Sequence, residues 1–282
     1  MAGAPRRIWL CADDYGMAPG INEAIRRLIA RGRLNATSVM VGGPSFTGEA
    51  IDALDTLNSG ETRALIGLHV TLTAPFTPVS EQFHPLRAHR FPPLNEMIRR
   101  GATRRLSPER LTIEIGSQLR LFLEAFGRLP DFIDGHQHVH LFPQIRDALL
   151  KVVNEAAASA WVRQCGRPRG ARALHDRKAL LLDMLSARFR AKAARLGIAT
   201  NPGFAGTYDF AAKADYATIF PRFLTGMPDG GLIMCHPGFV DAALANLDTL
   251  TDLREREFAF FDSDAFPRLL SEHDVALAQP AA

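Results

Sequence analysis

The chain has 282 residues, 47% hydrophobic and 22% charged, the balance of an ordinary globular enzyme rather than of a disordered chain. A net charge of +3 is too small to point to nucleic acid, although the pI is about 9.0 and arginine heavily outnumbers lysine. The apolar stretches are far shorter than the roughly 20 residues of a membrane span.

Short apolar runs alternate with longer amphipathic segments. Residues 7–12 read as a buried strand, and no leader-like apolar core follows the basic pair Arg6-Arg7, so the chain reads as not exported. After Gly16 and Pro19, residues 19–31 place Ile21, Ala24, Ile25, Leu28 and Ile29 at helical spacing. A strand at 37–41, a helix at 50–57 and a strand at 64–72 follow. Residues 73–106, rich in proline, break the rhythm and read as a long loop insertion with one short helix, the kind of segment that often forms a lid or binding loop. The alternation resumes with a helix at 108–126, a strand at 132–134, a helix at 143–157 and a strand at 161–163. Helices at 179–196 and 214–224 and strands at 232–235 and 275–278 complete the pattern. About seven β/α units predict an α/β fold, a (β/α) barrel-like, distorted TIM-type barrel formed by a single domain over 1–282. There is no GxGxxG after the first strand and no P-loop motif.

Four predicted strands end in polar residues, and in an α/β barrel the C-terminal strand ends converge on one site. Asp13-Asp14 follows the first apolar run. Two adjacent carboxylates make sense where one binds a cation and the other acts as a base, although a solvated acidic turn has the same composition. His69 lies inside the apolar run ALIGLHVTL, where a hydrogen-bonded core histidine is the alternative to a ligand. Asp134-Gly-His136-Gln-His138-Val-His140 follows the strand at 132–134, and period-2 alternation in an extended segment puts the three imidazoles on one side, ready for a transition metal. His236 closes the strand GLIMC, and Pro237-Gly238 then turns the chain away. Two histidines and a carboxylate on one cation leave open coordination positions, the arrangement of a catalytic site. Cys11, Cys165 and Cys235 show no CxxC spacing, which argues against a disulfide framework and fits a reduced, cytoplasmic compartment.

The blocks ADDYGMAPGINEAI, ATSVMVGG, GLHVTLT, DGHQHVHLFPQI and CHPG, in this order, resemble the YdjC-like (ChbG/HpnK) family of carbohydrate deacetylases. The resemblance implies a barrel-like fold related to the polysaccharide deacetylases and a divalent metal that activates water for removal of an acetyl group from an N-acetylated sugar. It implies Asp14, His69 and His136 as metal ligands, Asp13 as general base and His236 as general acid. Arg163 would orient the base or the substrate, and His138, His140 and Tyr15 would lie toward the substrate. Tyr15 stands where phenylalanine is commoner, Gln137 interrupts a longer histidine run, and no proline follows Arg163 closely. Ligand softness suits Zn2+, Co2+ or Ni2+, and the resemblance admits Mg2+; it also admits a homodimer. The same site chemistry would serve a metal-dependent amidase or esterase on a non-sugar acyl substrate. A silent metal- or carbohydrate-binding protein would need neither Asp13 nor His236. The basic stretch 163–195, with Arg167, Arg169, Arg172, Arg177, Arg188, Arg190, Lys192 and Arg195, is either a solvated face or a surface for an anionic substrate such as a phosphate-linked glycolipid at a membrane surface.

Overall fold

A computed structural model describes residues 4–60, 62–168, 177–208 and 215–280, with the backbone alone at 177–178. Strand β1 (Arg6–Tyr15) leads to α1 (Pro19–Ala30), β2 (Ala36–Val39), α2 (Gly48–Asn58) and β3 (Leu65–Val70). Then come α3 (Leu94–Ala102), α4 (Pro108–Phe126), β4 (Phe132–Gly135), α5 (Ile145–Ala156), β5 (Trp161–Val162) and α6 (Arg177–Arg195). The chain continues through β6 (Phe204–Ala205), α7 (Tyr216–Leu224), β7 (Gly231–Cys235), α8 (Ala242–Leu247), α9 (Asp252–Asp262), α10 (Ala265–Glu272) and β8 (Val275–Leu277).

The strands pair in parallel in the order β5-β4-β3-β2-β1-β7-β6, and a bridge between Val162 and Thr200 carries β5 toward the segment that enters β6. Seven strands thus curl into the barrel-like sheet that the alternation predicts. The eighth, β8, pairs with Arg6–Ile8 at the start of β1, before β2 joins β1 at Cys11. Asn35 stitches this seam, donating to the carbonyls of Ile8 and Ala278 and accepting from Leu10 N. Residues of β2, β4 and β7 are buried throughout, as expected of parallel strands covered on both faces.

Local sequence chemistry sets the helix ends. Pro19 opens α1, whose buried residues include the predicted stripe Ile21, Ala24, Ile25, Leu28 and Ile29. Ser107 caps α4 by accepting from Arg110 N, and Gly127, at φ 63°, ends it in the left-handed conformation. The insertion at 73–106 is pinned to α4: buried Glu114 accepts from Val79 N at 3.1 Å and Ser80 N at 2.8 Å. Phe83 and Phe91 pack edge to face at 4.9 Å beneath it, and α3 is its one helix.

Three features depart from the sequence reading. Strand β1 runs on to Tyr15, because the pairing with β2 shifts register between Ala12 and Tyr15 instead of ending at the acidic pair. The segment His136–Leu141 is a 3-10 turn with Gln137 and His138 at φ 55° and 57°, not an extended run. Strand β6 and helices α8, α9 and α10 are additions to the elements read from the sequence. The expected helix start at Ala214 lies outside the described residues. Among those residues, no helix is long and apolar enough to cross a membrane.

Candidate active site

The bulge in β1 separates the two carboxylates that follow the apolar run. Asp14 sits at φ 75°, a left-handed conformation that asparagine and aspartate tolerate best and that typically costs about 1–3 kcal/mol. Its side chain is thereby turned toward the ends of β3 and β4. There, His69 and Asp134 are register partners on adjacent strands, and their side chains meet, His69 Nδ1 lying 2.6 Å from Asp134 Oδ1. A hydrogen bond donated by Nδ1 leaves Nε2 facing Asp14 Oδ1 at 3.4 Å. His136, the first residue of the 3-10 turn, brings Nδ1 to 3.0 Å from the same Asp14 oxygen. One ligand atom from each of Asp14, His69 and His136 lies within 4.8 Å of the other two.

Two buried guanidiniums organise the remaining charge. Arg163, leaving β5, donates to both oxygens of Asp13, at 2.7 and 2.6 Å, and pairs with Asp134 Oδ2 at 2.5 Å. Arg254, from α9, pairs with Asp14 Oδ2 and Asp248 Oδ2, both at 2.7 Å. Ser38 on β2 donates to Asp13 Oδ1 at 3.1 Å and lies 3.0 Å from His69 Nδ1. Burial alone would raise the Asp13 carboxyl, but its ion pair with Arg163 outweighs that and holds it well below the carboxylate range. Burial works against a charge on His69, yet Asp134 first, then Asp14 and Asp13, raise it to about 10.

The donor set fits a divalent cation on three counts. Two imidazole nitrogens and a carboxylate oxygen are the ligands of catalytic zinc sites. The separations of 3.0 and 3.4 Å resemble the edge of about 3.3 Å between ligands on a tetrahedral zinc. Four carboxylates, Asp13, Asp14, Asp134 and Asp248, surround two guanidiniums, which leaves negative charge in excess even with a proton on His69. A second acidic group, Cys11, Asp13 and Asp134, is also close-packed, but Arg163 already occupies its centre, with Nη2 3.0 Å from Cys11 Sγ.

Asp13, Asp14, His69, His136, His138 and His236 all line one cavity of about 550 Å³. Its wall is completed by apolar side chains, among them Leu94 and Ile98 from the insertion's helix and Leu181 and Leu182 from α6. His236 leaves β7 directly after Cys235, the register partner of Ala12 on β1, and burial, ahead of all other influences, keeps its imidazole below the ordinary value. The three histidines expected on one side diverge, because the two left-handed residues of the 3-10 turn reverse the alternation. His138 reaches the cavity with Nδ1 3.5 Å from Cys165 Sγ. His140 points backward, is fully buried, and holds the Arg163 carbonyl through Nε2 at 2.9 Å. Gly135 makes room for it, since a Cβ there would lie 3.0 Å from His140 Nδ1. Tyr15 also turns away from the cavity, donating to the Ala50 carbonyl and accepting from Arg26. Neither side chain lines the cavity; both lie behind it.

Sequence reasoning missed Arg254, Asp248 and Glu257 and gave Asp134 and Ser38 no role. Glu257 accepts from His236 N at 2.5 Å and from Tyr208 at 2.7 Å, and burial pushes it up to about 7. A signal existed: Arg254 and Glu257 occupy the same helical stripe as the buried Phe258 and Phe261. The basic stretch is not one surface, for Arg163 is inside the site, Arg167 pairs with Asp183 at 2.9 Å, and Lys192 pairs with Asp147 at 2.7 Å. Arg169 and Arg172 lie outside the described residues, as does the side chain of Arg177.

Residues 7–272 match the sequence profile of the YdjC-like proteins. The chain belongs to the YdjC-like family. Over 136 residues it is 35% identical to a chitooligosaccharide deacetylase of Escherichia fergusonii, a stretch that covers 48% of this chain and 50% of that relative. The match thus spans half the length of that curated relative. A solved structure from Enterococcus faecalis V583, named for cellobiose-phosphate cleavage, has the same fold, with a TM-score of 0.73 over 98% of both chains at 20% identity. A peptidoglycan N-acetylglucosamine deacetylase is more distant, with a TM-score of 0.50 over 97% of this chain and 85% of that one at 10% identity. These two likenesses concern the fold of this YdjC-like chain.

Proposed function

We propose that this YdjC-like protein is a metal-dependent carbohydrate N-deacetylase that hydrolyses the acetamide of an N-acetylated saccharide or glycolipid head group. The observation that carries the reading is convergence: a two-histidine, one-carboxylate donor set, a second carboxylate and a further histidine face one cavity. The likeness to a chitooligosaccharide deacetylase supports the reaction and the sugar class. Asp14, His69 and His136 hold the cation, which when bound polarises a carbonyl and acidifies water. Zn2+ heads the candidates on ligand type, with Co2+, Ni2+ and Mg2+ as alternatives.

Asp13 takes the proton of the attacking water. Its ion pair with Arg163 keeps it ionised at every working pH and fixes both of its oxygens, so orientation compensates for weak basicity. Arg163 also ties Asp13 to Asp134, the carboxylate that sets the His69 tautomer, so base and ligand keep a fixed relation. His236 protonates the departing amine. A buried imidazole with a lowered proton affinity is a strong acid once protonated. The aliphatic wall from α3 and α6 shields the reacting centre from bulk water and covers the less polar face of the substrate. Three buried free cysteines fit a reducing compartment, and we place the enzyme in the cytoplasm.

The test is acetate release from chitobiose, N-acetylglucosamine glycolipids and N-acetylgalactosamine conjugates, with and without a chelator. Chelator-sensitive release from at least one sugar is expected. Release only from non-sugar acyl compounds would instead identify an amidase or esterase. In Asp13→Asn, bound metal should persist while turnover falls by roughly two to four orders of magnitude, the usual contribution of a positioned base.

A further inference from the structure

Arg254 is 1% exposed, and a buried guanidinium is costly unless its surroundings repay it. It is anchored through two of its three nitrogens, Nε and Nη2, while Nη1 has no hydrogen-bond partner among the described residues. Nε donates to the Leu250 carbonyl at 3.0 Å, and Nη2 is shared between Asp14 Oδ2 and Asp248 Oδ2. The helix that carries it is held by aromatic packing: Phe260 and Phe261 of α9 lie against Tyr216, Phe220 and Phe266 at centroid distances of 5.1–5.7 Å. The same stretch of α9 also holds the loop after β7, because alternate amides there reach it. His236 N donates to Glu257, Gly238 N to the Arg254 carbonyl and Val240 N to Glu255. A guanidinium fixed in this way defines where Asp14 stands relative to His236.

We infer that Arg254 is a positioning residue for the metal centre, holding Asp14 Oδ2 so that only Oδ1 faces His69 and His136. This inference rests on the proposed metal-dependent reading and extends it to the layer behind the ligands. An Asp14 carboxylate engaged through one oxygen leaves coordination positions for water and the acetyl oxygen. A freely turning carboxylate would offer both oxygens and occupy one of them. Two effects of Arg254 on cation affinity oppose each other. Its charge repels a cation a few ångströms away, while its hydrogen bond fixes the carboxylate and repays the burial of Oδ2. Loss of a group behind a metal ligand typically weakens metal binding roughly ten- to a hundredfold, so the geometric effect is the larger one.

The experiment is calorimetric titration of Zn2+ into the metal-stripped full chain, in parallel with kcat and KM for acetate release. Arg254→Met should weaken Zn2+ binding roughly ten- to a hundredfold. Arg254→Lys, which keeps the charge but cannot reach both carboxylates, should recover only part of the loss. Asp248→Asn, which loosens Arg254 from a partner that is 24% exposed, should shift affinity in the same direction by a smaller factor. Equal or tighter Zn2+ binding by Arg254→Met would overturn the inference, as would a lowered melting temperature with unchanged Zn2+ affinity. Should Arg254→Met fail to fold, as read by circular dichroism, Asp248→Asn decides, and wild-type affinity there overturns the inference. A wild-type protein that binds no Zn2+ and releases no acetate would instead remove the functional reading itself.

Discussion

Replacing Arg163 by methionine probes the charge arrangement on which the site depends. The side chain is fully buried, contacts both oxygens of Asp13 and pairs with Asp134 as well. Methionine fills much of the same volume but leaves two carboxylates facing each other without a cation. Removing one partner of a buried pair costs about 3–5 kcal/mol, and here one cation serves two anions, which points to the upper end. At about 2 °C per kcal/mol for a chain of this size, the melting temperature should fall by roughly 10 °C. Calorimetry of the chelator-treated protein measures this directly. The sign of the pH dependence is fixed. Arg163 holds Asp13 below its ordinary value of 3.8, so the stabilisation is present above that value and is lost as pH falls through the lower folded-state value. The gap between wild type and variant should therefore be widest above about pH 5 and should close in acid. The double variant with Asp13→Asn should be less destabilised than the sum of the single changes, because one stranded carboxylate is gone. A shift below 2 °C for Arg163→Met, or strict additivity in the double variant, would refute this reasoning.

Two further changes test other parts of the structure. Burial pushes Glu257 from its ordinary 4.5 to about 7, so the folded state keeps its proton while the unfolded chain loses it. Stability should decline by about 3 kcal/mol between pH 4.5 and 7 on this account, and Glu257→Gln should remove that decline. Parallel melting curves for the two proteins across that range would contradict it. Gly67→Ala should cost about 1–3 kcal/mol, since a Cβ there overlaps the Phe132 ring, itself stacked on Trp161 at 4.7 Å. An unchanged denaturation midpoint would show that Phe132 is free to yield.

The legible parts of the chain are those in which one periodicity dominates. Strands such as Gly231–Cys235 and helices such as Pro108–Phe126 have uniform patterns and clear ends, and the polar residues at strand ends mark the site. What was illegible has physical causes. The alternation rule for His136, His138 and His140 assumes extended backbone, whereas the 3-10 turn rotates successive side chains apart. Tyr15 follows the acidic pair immediately, yet the bulge at Asp14 turns it to the opposite side. Arg254 and Glu257 escaped notice because charged residues are seldom buried without partners. Their partners, Asp14 and the His236 amide, are 240 and 21 residues away in sequence. No local pattern encodes such a pairing.

The most direct test of the central claim is a crystal of the protein grown with Zn2+ and measured at the zinc absorption edge. A single anomalous peak within about 2.0–2.2 Å of Asp14 Oδ1, His69 Nε2 and His136 Nδ1, beside Asp13, is the predicted result. A chelator-sensitive, acetate-releasing protein whose zinc lies anywhere else, or touches fewer than two of these residues, would contradict it.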